Sequence, residues 1–229
     1  MVKMETFHII PAGFIGFNIL FNIIFALFTA IIAAYSMRIY WLSKEKESKN
    51  FGLSFIFLSA SYIFLFLLNT IFLSAISGDL RRLDFEDIMG IKNTLVMLYS
   101  ISFILGFSTL FYTTTKIKST TLYILLTLLS VIALGFSSDR SLVLYSIASI
   151  FLALIVIFYI KVYACNRNNN TLIFGISMFL LLISNIFMIL SGDYFMPSAY
   201  VIAVLIALAA YGIIFICLLK IINHGKKKK

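Results

Sequence analysis

Seven apolar runs, over residues 12–37, 53–76, 91–115, 119–136, 142–160, 172–190 and 198–222, occupy most of the chain. Lys92 and Lys220 are the only charged residues within them, and each lies near one end of its run. Crossing the hydrocarbon core of a bilayer takes ~20 such residues in a helix. Only helices and closed barrels satisfy their own backbone there. The runs are too long for barrel strands and lack their in–out alternation. The expected fold is therefore all-α: a polytopic membrane protein, one membrane domain over residues 1–229, built as a seven-transmembrane-helix bundle. Short connections predict antiparallel neighbours. Only 12% of residues are charged, against ~25% in soluble domains, which excludes cytosolic enzymes and disordered scaffolds.

Charge placement predicts an orientation. Thirteen of the 18 basic residues fall on one side: Arg38, Lys44, Lys46, Lys49, Lys116, Lys118, Lys161, Arg167, Lys220 and the lysines at 226–229. Opposite them lie Lys3, Arg81, Arg82, Lys92 and Arg140, with seven of the nine acidic residues. The positive-inside bias puts the N-terminus outside and the C-terminus in the cytoplasm of a cell-membrane protein. The net charge of +9 then belongs to an anionic inner leaflet and not to nucleic acid. The lysines at 226–229 fit a tail that holds the last helix to that leaflet or docks an acidic cytosolic partner. The sequon Asn169-Asn170-Thr171 falls on the cytoplasmic side and is discounted. Residues 1–11 lack the basic region of a signal peptide, and the apolar run that follows is too long for one, so it reads as a retained span.

Pro11 and Pro197 sit before or at helix starts, where a missing N–H is harmless. With no proline inside a span, a bundle of unbroken helices is expected. The connection 78–90, GDLRRLDFEDIMG, reads either as a short interfacial helix or as an early start of the third span.

Catalytic and metal-binding sets are missing from the spans. His8 and His224, the only histidines, lie outside them, and no span holds a carboxylate. That removes metal-ligand sets, acid–base dyads and the ionisable relays of proton-coupled pumps. Cys165 and Cys217 have no metal-ligand or disulfide pattern. We expect no enzymatic activity, no cofactor and no metal.

The seven spans with an outside N-terminus resemble, as topology, the microbial rhodopsins and the seven-helix membrane input domains of prokaryotic sensor proteins. Rhodopsins carry a retinal-binding lysine midway along the seventh helix. Here that stretch reads Ala207-Leu208-Ala209-Ala210-Tyr211, Lys220 stands at its inner end, and the third helix has no counter-ion carboxylate. The resemblance therefore implies a sensory membrane protein without retinal.

One polar constellation stands out. Asn is costly in hydrocarbon unless it is paired. Asn18 and Asn22 share a face of the first span, Asn69 lies in the second and Asn185 in the sixth, all in the outer half. Tyr99, Ser102, Gly106, Thr109 and Thr113 form a protein-facing seam of the third span. Tyr62, and Tyr145 with Ser149, add to the set. Asn18, Asn22, Asn69, Tyr99 and Asn185 are the candidate ligand-binding residues. Three readings compete: an interhelical clamp in which these groups satisfy one another, with Asn69 pairing to Asn18 or Asn22; an outward-facing pocket for a small, uncharged or lipid-like ligand; and a polar permeation path. By these readings the chain is a sensory or ligand-binding protein, a small permease for an uncharged solute, or a structural subunit of a larger complex.

Small residues form two further stripes: Ala26, Ala30 and Ala34 in the first span, and Ala203, Ala207 and Ala210 near Gly212 in the seventh. They let helices approach closely. In a closed ring of seven, where first and seventh helices are neighbours, they serve internal packing; the alternative is homodimerisation.

The orientation is testable in a chain freed of Cys165 and Cys217. A cysteine at Ser137 should react with a membrane-impermeant thiol probe added outside, and one at Asn168 should not. The reverse pattern would invert the topology.

Overall fold

The computed structural model describes residues 15–76, 85–116, 119–193 and 197–226. They form seven α-helices: α1 (Ile15–Ser43), α2 (Lys46–Ile76), α3 (Phe85–Thr115), α4 (Thr120–Phe136), α5 (Arg140–Asn166), α6 (Asn169–Asp193) and α7 (Pro197–Lys226). Six are long and apolar enough to cross a membrane; α4, equally apolar, has 17 residues, about 25 Å of helix. The chain is thus an all-α, multi-pass bundle. Pro11, His8, residues 78–84 of the patterned connection and the lysines at 227–229 lie outside the described residues.

Several helices outrun the apolar runs that announce them. α2 starts at Lys46 and not near residue 53, and α3 starts at Phe85 and not at 91. Hydropathy marks the part of a helix that meets lipid, whereas the backbone ladder continues into the polar flank. The second half of the patterned connection therefore belongs to the third helix.

We call the end where α1 begins the upper end. Contacts between helices fix their sense. Ser59 of α2 donates to the Ala26 carbonyl of α1 at 3.0 Å, and Ser184 of α6 donates to the Ala203 carbonyl of α7 at 2.8 Å. Both pairs are antiparallel. The connections at the lower end are short, and α1, α3 and α5 each end there on a basic residue with positive φ: Lys44 (58°), Lys116 (53°) and Arg167 (44°). The Lys44 and Arg167 N–H groups close the last turns onto the Tyr40 and Tyr163 carbonyls at 2.7 and 2.8 Å. A cation at a helix C-terminus also complements the helix dipole, so residues of the basic side also terminate these helices. Lys44 lies over the Trp41 and Tyr40 rings, 5.5 and 6.0 Å from their centroids.

Six helices close a ring in the order α1, α2, α3, α5, α6, α7, with α7 returning to α1. The expected ring of seven is not formed, because α4 packs outside it, touching only α3 and α5. Its inward stripe is narrow: Thr127, Ser130 and Leu134 are buried, and Tyr123 meets Thr109 of α3, hydroxyl to hydroxyl, at 2.9 Å. The other faces of α4 are exposed and apolar, from Leu122 to Phe136.

The ring is filled by side chains. Phe55, Leu58, Ile104, Phe107, Leu110, Leu152, Ile155 and Met178 have essentially no exposure. Without a hydrophobic driving force between helices in lipid, close contact and interhelical hydrogen bonds hold such a bundle. The small stripes divide accordingly. Ala203, Ala207 and Ala210 are buried inside, as internal packing requires. Ala30 and Ala34 instead face outward, and only Ala26 is half-buried, so the stripe of α1 does not serve the packing expected of it.

Gly106 marks the tightest approach. A Cβ there would stand 2.7 Å from Cγ and Cδ2 of Leu58 and 3.2 Å from the Ser54 carbonyl oxygen. Gly106→Ala must push α3 off α2 and should cost ~1–3 kcal/mol. Gly212→Ala, where a Cβ meets nothing within 4 Å, should stabilise by up to ~1 kcal/mol. Unfolding in detergent of the two variants, side by side, checks both signs.

Candidate functional site

The inward seam of α1 reads Asn18, Asn22, Phe25, Thr29, Ile32 and Ser36, all buried. Their spacing of four and three is that of a helix face held against its neighbours. Polarity along the seam is concentrated at the top. Below it, Phe25 packs on Tyr62 of α2 and Tyr211 of α7, with ring centroids 5.1 and 5.7 Å away. Thr29 turns its hydroxyl to its own helix, 2.7 Å from the Phe25 carbonyl oxygen.

Three hydrogen-bonded pairs tie the upper half together. Tyr200 of α7 donates to Asn18 Oδ1 at 2.6 Å. Tyr99 of α3 and Tyr145 of α5 meet through their hydroxyls at 3.1 Å, and Tyr62 and Tyr211 at 3.0 Å. Five tyrosines from four helices make these three pairs. Tyr62 and Tyr211 also stack edge to face, with interplanar angle 90°, so each is located by its ring as well as its hydroxyl.

The structure brings some candidates together and leaves others apart. Asn18 and Tyr99 are clamped, but to Tyr200 and Tyr145, not to another asparagine. Asn69 makes no hydrogen bond to Asn18 or Asn22. Instead the Nδ2 groups of Asn22 and Asn69 are both buried without a partner. The contact of Ser59 with Ala26 sets the register of these adjacent helices: Asn22 is one turn above it on α1 and Asn69 nearly three turns above it on α2, so Asn69 lies about 9 Å higher than Asn22. Asn185 is buried on α6 beside Ser184, whose hydroxyl is committed to the Ala203 carbonyl. Of the α3 seam, Tyr99 meets α5, Gly106 meets α2 and Thr109 meets α4, so it serves three neighbours. Ser149 Oγ is buried and unpartnered.

Sequence reasoning passed over Tyr200 and Tyr211. Their spacing of eleven on one face of the seventh run, beside the small residues, was the available signal; tyrosine near a span end reads as an interfacial anchor until its neighbours are known. No charged side chain is buried among the described residues, and no group of three His, Cys, Asp or Glu there could hold a metal ion. Cys217 is buried and Cys165 exposed, and both are free thiols.

Removing one member of the Tyr62–Tyr211 pair leaves the other hydroxyl unpaired in a dry core. Tyr62→Phe and Tyr211→Phe should each cost ~1–2 kcal/mol, while the double variant costs clearly less than their sum. A double-mutant cycle by unfolding in detergent measures the coupling; additive losses would mean that the hydroxyls do not depend on each other. Comparison with known proteins finds no matching family model, no matching curated protein and no matching solved structure, so the function is argued from this chain's own residues.

Proposed function

We propose that the chain is a non-enzymatic, sensory or ligand-binding protein of the cell membrane, with its upper end outside and its basic lower end in the cytoplasm. The ligand site is the polar upper interior around Asn22 and Asn69, with Tyr99 and Asn185 on its far walls. One observation carries this reading: two buried carboxamide N–H groups on neighbouring helices, Asn22 near the depth of Tyr62 and Asn69 about two turns above it, with no acceptor for either among the described residues. A buried donor left unpaired costs ~1–3 kcal/mol, and water or a ligand acceptor would recover it. With no buried charge nearby to balance an ion, the fitting ligand is small, uncharged and bears an acceptor such as a carbonyl or ether oxygen.

Transport has less support. Below the Tyr62–Tyr211 pair the ring is packed by Phe55, Leu58, Ile104 and Phe107, each exposed by 1% or less, so the polar interior stops partway. Tyr211 on α7 and Tyr62 on α2 sit at that floor, and a ligand drawing on the groups above would reach the lower end through those helices. There the exposed Lys44, Lys46, Lys49 and Arg167 offer a surface to an acidic partner or leaflet. The subunit reading draws on α4, whose exposed apolar flank a second membrane protein could cover.

Clamp and pocket differ in what Asn→Leu does. In the pocket reading, Asn22→Leu, Asn69→Leu and their double variant melt at or above the parent temperature. A cysteine at Asn69 reacts with a small neutral thiol reagent, whereas one at Thr29, in the packed half, does not. Destabilisation by ~0.5–2 kcal/mol with strong non-additivity, or an unreactive cysteine at Asn69, would make the asparagines structural and withdraw the pocket.

A further inference from the structure

Away from the central site, α3, α4 and α5 enclose a cleft at the upper end, lined by Met97, Ser100 and Ile101, by Val131, Leu134 and Gly135, and by Arg140. Its volume is about 10 Å³, the space of a single oxygen-sized group. Two polar atoms at this cleft, Ser100 Oγ and Arg140 Nε, are buried without any partner. Both can donate. Ser100 is 3% exposed and does not bond back to its own helix, unlike Thr94 and Thr109 of α3, which reach the Gly90 and Leu105 carbonyls at 3.0 and 2.6 Å.

Among the described residues, no carboxylate forms an ion pair with Arg140. It opens α5, and the preceding Asp139 spends its carboxylate on the cap, accepting from Leu142 N at 3.2 Å and Ser141 Oγ at 2.8 Å. The helix start adds its own partial positive charge. The remaining walls are apolar, and outside them α4 presents Leu128 and Ile132, both about half exposed. Gly135 leaves the mouth open, since a Cβ there would meet nothing within 4 Å.

We propose that this cleft is a site for an anionic phospholipid: one phosphate oxygen accepts from Arg140 and Ser100, and the acyl chain lies along the α3–α4 seam. Phosphate matches a fixed guanidinium charge, and an apolar wall continuous with lipid selects an amphiphile over a free ion. The site belongs to the end opposite the basic connections, so it is separate from any general attraction of those lysines for anionic membranes.

The test uses delipidated full-length protein in neutral detergent, with melting followed during titration of short-chain phosphatidylglycerol, phosphatidylcholine or inorganic phosphate. Phosphatidylglycerol should raise the melting temperature more than phosphatidylcholine, and inorganic phosphate should do little. Arg140→Gln should weaken the phosphatidylglycerol response at least tenfold in midpoint, and Ser100→Ala a few-fold. Gly135→Leu keeps both donors and blocks the mouth, and it should weaken the response as Arg140→Gln does, even if the latter folds poorly. Equal responses to the two lipids, or an unchanged response in Gly135→Leu, would mean that the cleft holds water only and would overturn the proposal. A response to inorganic phosphate as large as that to the lipid would make it a free-anion site and overturn the lipid assignment.

Discussion

A hydrogen-bonding group with no water beside it has to find its partner inside the protein, and this requirement governs the molecule at two scales. At the scale of the backbone it makes every apolar run a helix, because a helix closes its own N–H to C=O ladder. At the scale of side chains it decides how the helices face one another. Most hydroxyls in the spans answer it locally: Thr29, Thr70, Thr109, Thr113, Thr127, Ser130 and Ser177 each reach a carbonyl one turn back. Apart from Thr109, which also meets Tyr123 of α4, such groups disappear from the polar account of the bundle. Tyrosine and asparagine cannot do so as easily, since their polar atoms stand further from the backbone, and they are the residues that reach across.

The vertical asymmetry of the interior follows. Where Asn and Tyr gather, between the start of α1 and the Tyr62–Tyr211 pair, helices are joined by side-chain bonds. Lower down, Phe55, Phe107, Ile104 and Ile155 fill the ring, and among the described residues the side-chain bonds between α1 and α2 are those of Ser59 and Ser36 to backbone carbonyls. The lower half is thus well filled, and the upper half is polar and incompletely paired. Asn18, already bound by Tyr200, belongs to the frame of the upper half. Asn22, one turn deeper, has no such partner.

The lower end combines two demands in the same residues. Lys44, Lys116 and Arg167 sit at the ends of three of the four helices that run downward, and each accepts a left-handed backbone that glycine would adopt with less strain. Their charge meets the helix carbonyls and the membrane surface together. Glu47, on the first turn of α2, lies 3.0 Å from Lys116 Nζ, but both are more than half exposed, so the pair adds little to stability.

The number of helices, their rough extent, the lower-end charge and the polar character of the upper half were all legible in the amino-acid order. Hydropathy and charge are local properties that each segment carries into any fold. Asn18, Asn22 and Asn69 could be singled out because an amide in an apolar run is anomalous wherever the run packs. Their partners could not be read, since a bond such as Asn18 to Tyr200 spans 182 positions and depends on how α1 and α7 are rotated about their axes. The spans are apolar on lipid-facing and ring-facing sides alike, so the pattern carries little information about rotation. For that reason only tertiary structure decided that α4 lies outside the ring, that Ala30 and Ala34 face out while Ala203 and Ala210 face in, and that Ser100 and Arg140 meet at one cleft. In lipid, burial does not choose the face of a helix; packing shape and the pairing of a few polar groups do, and these exist only once the helices have come together.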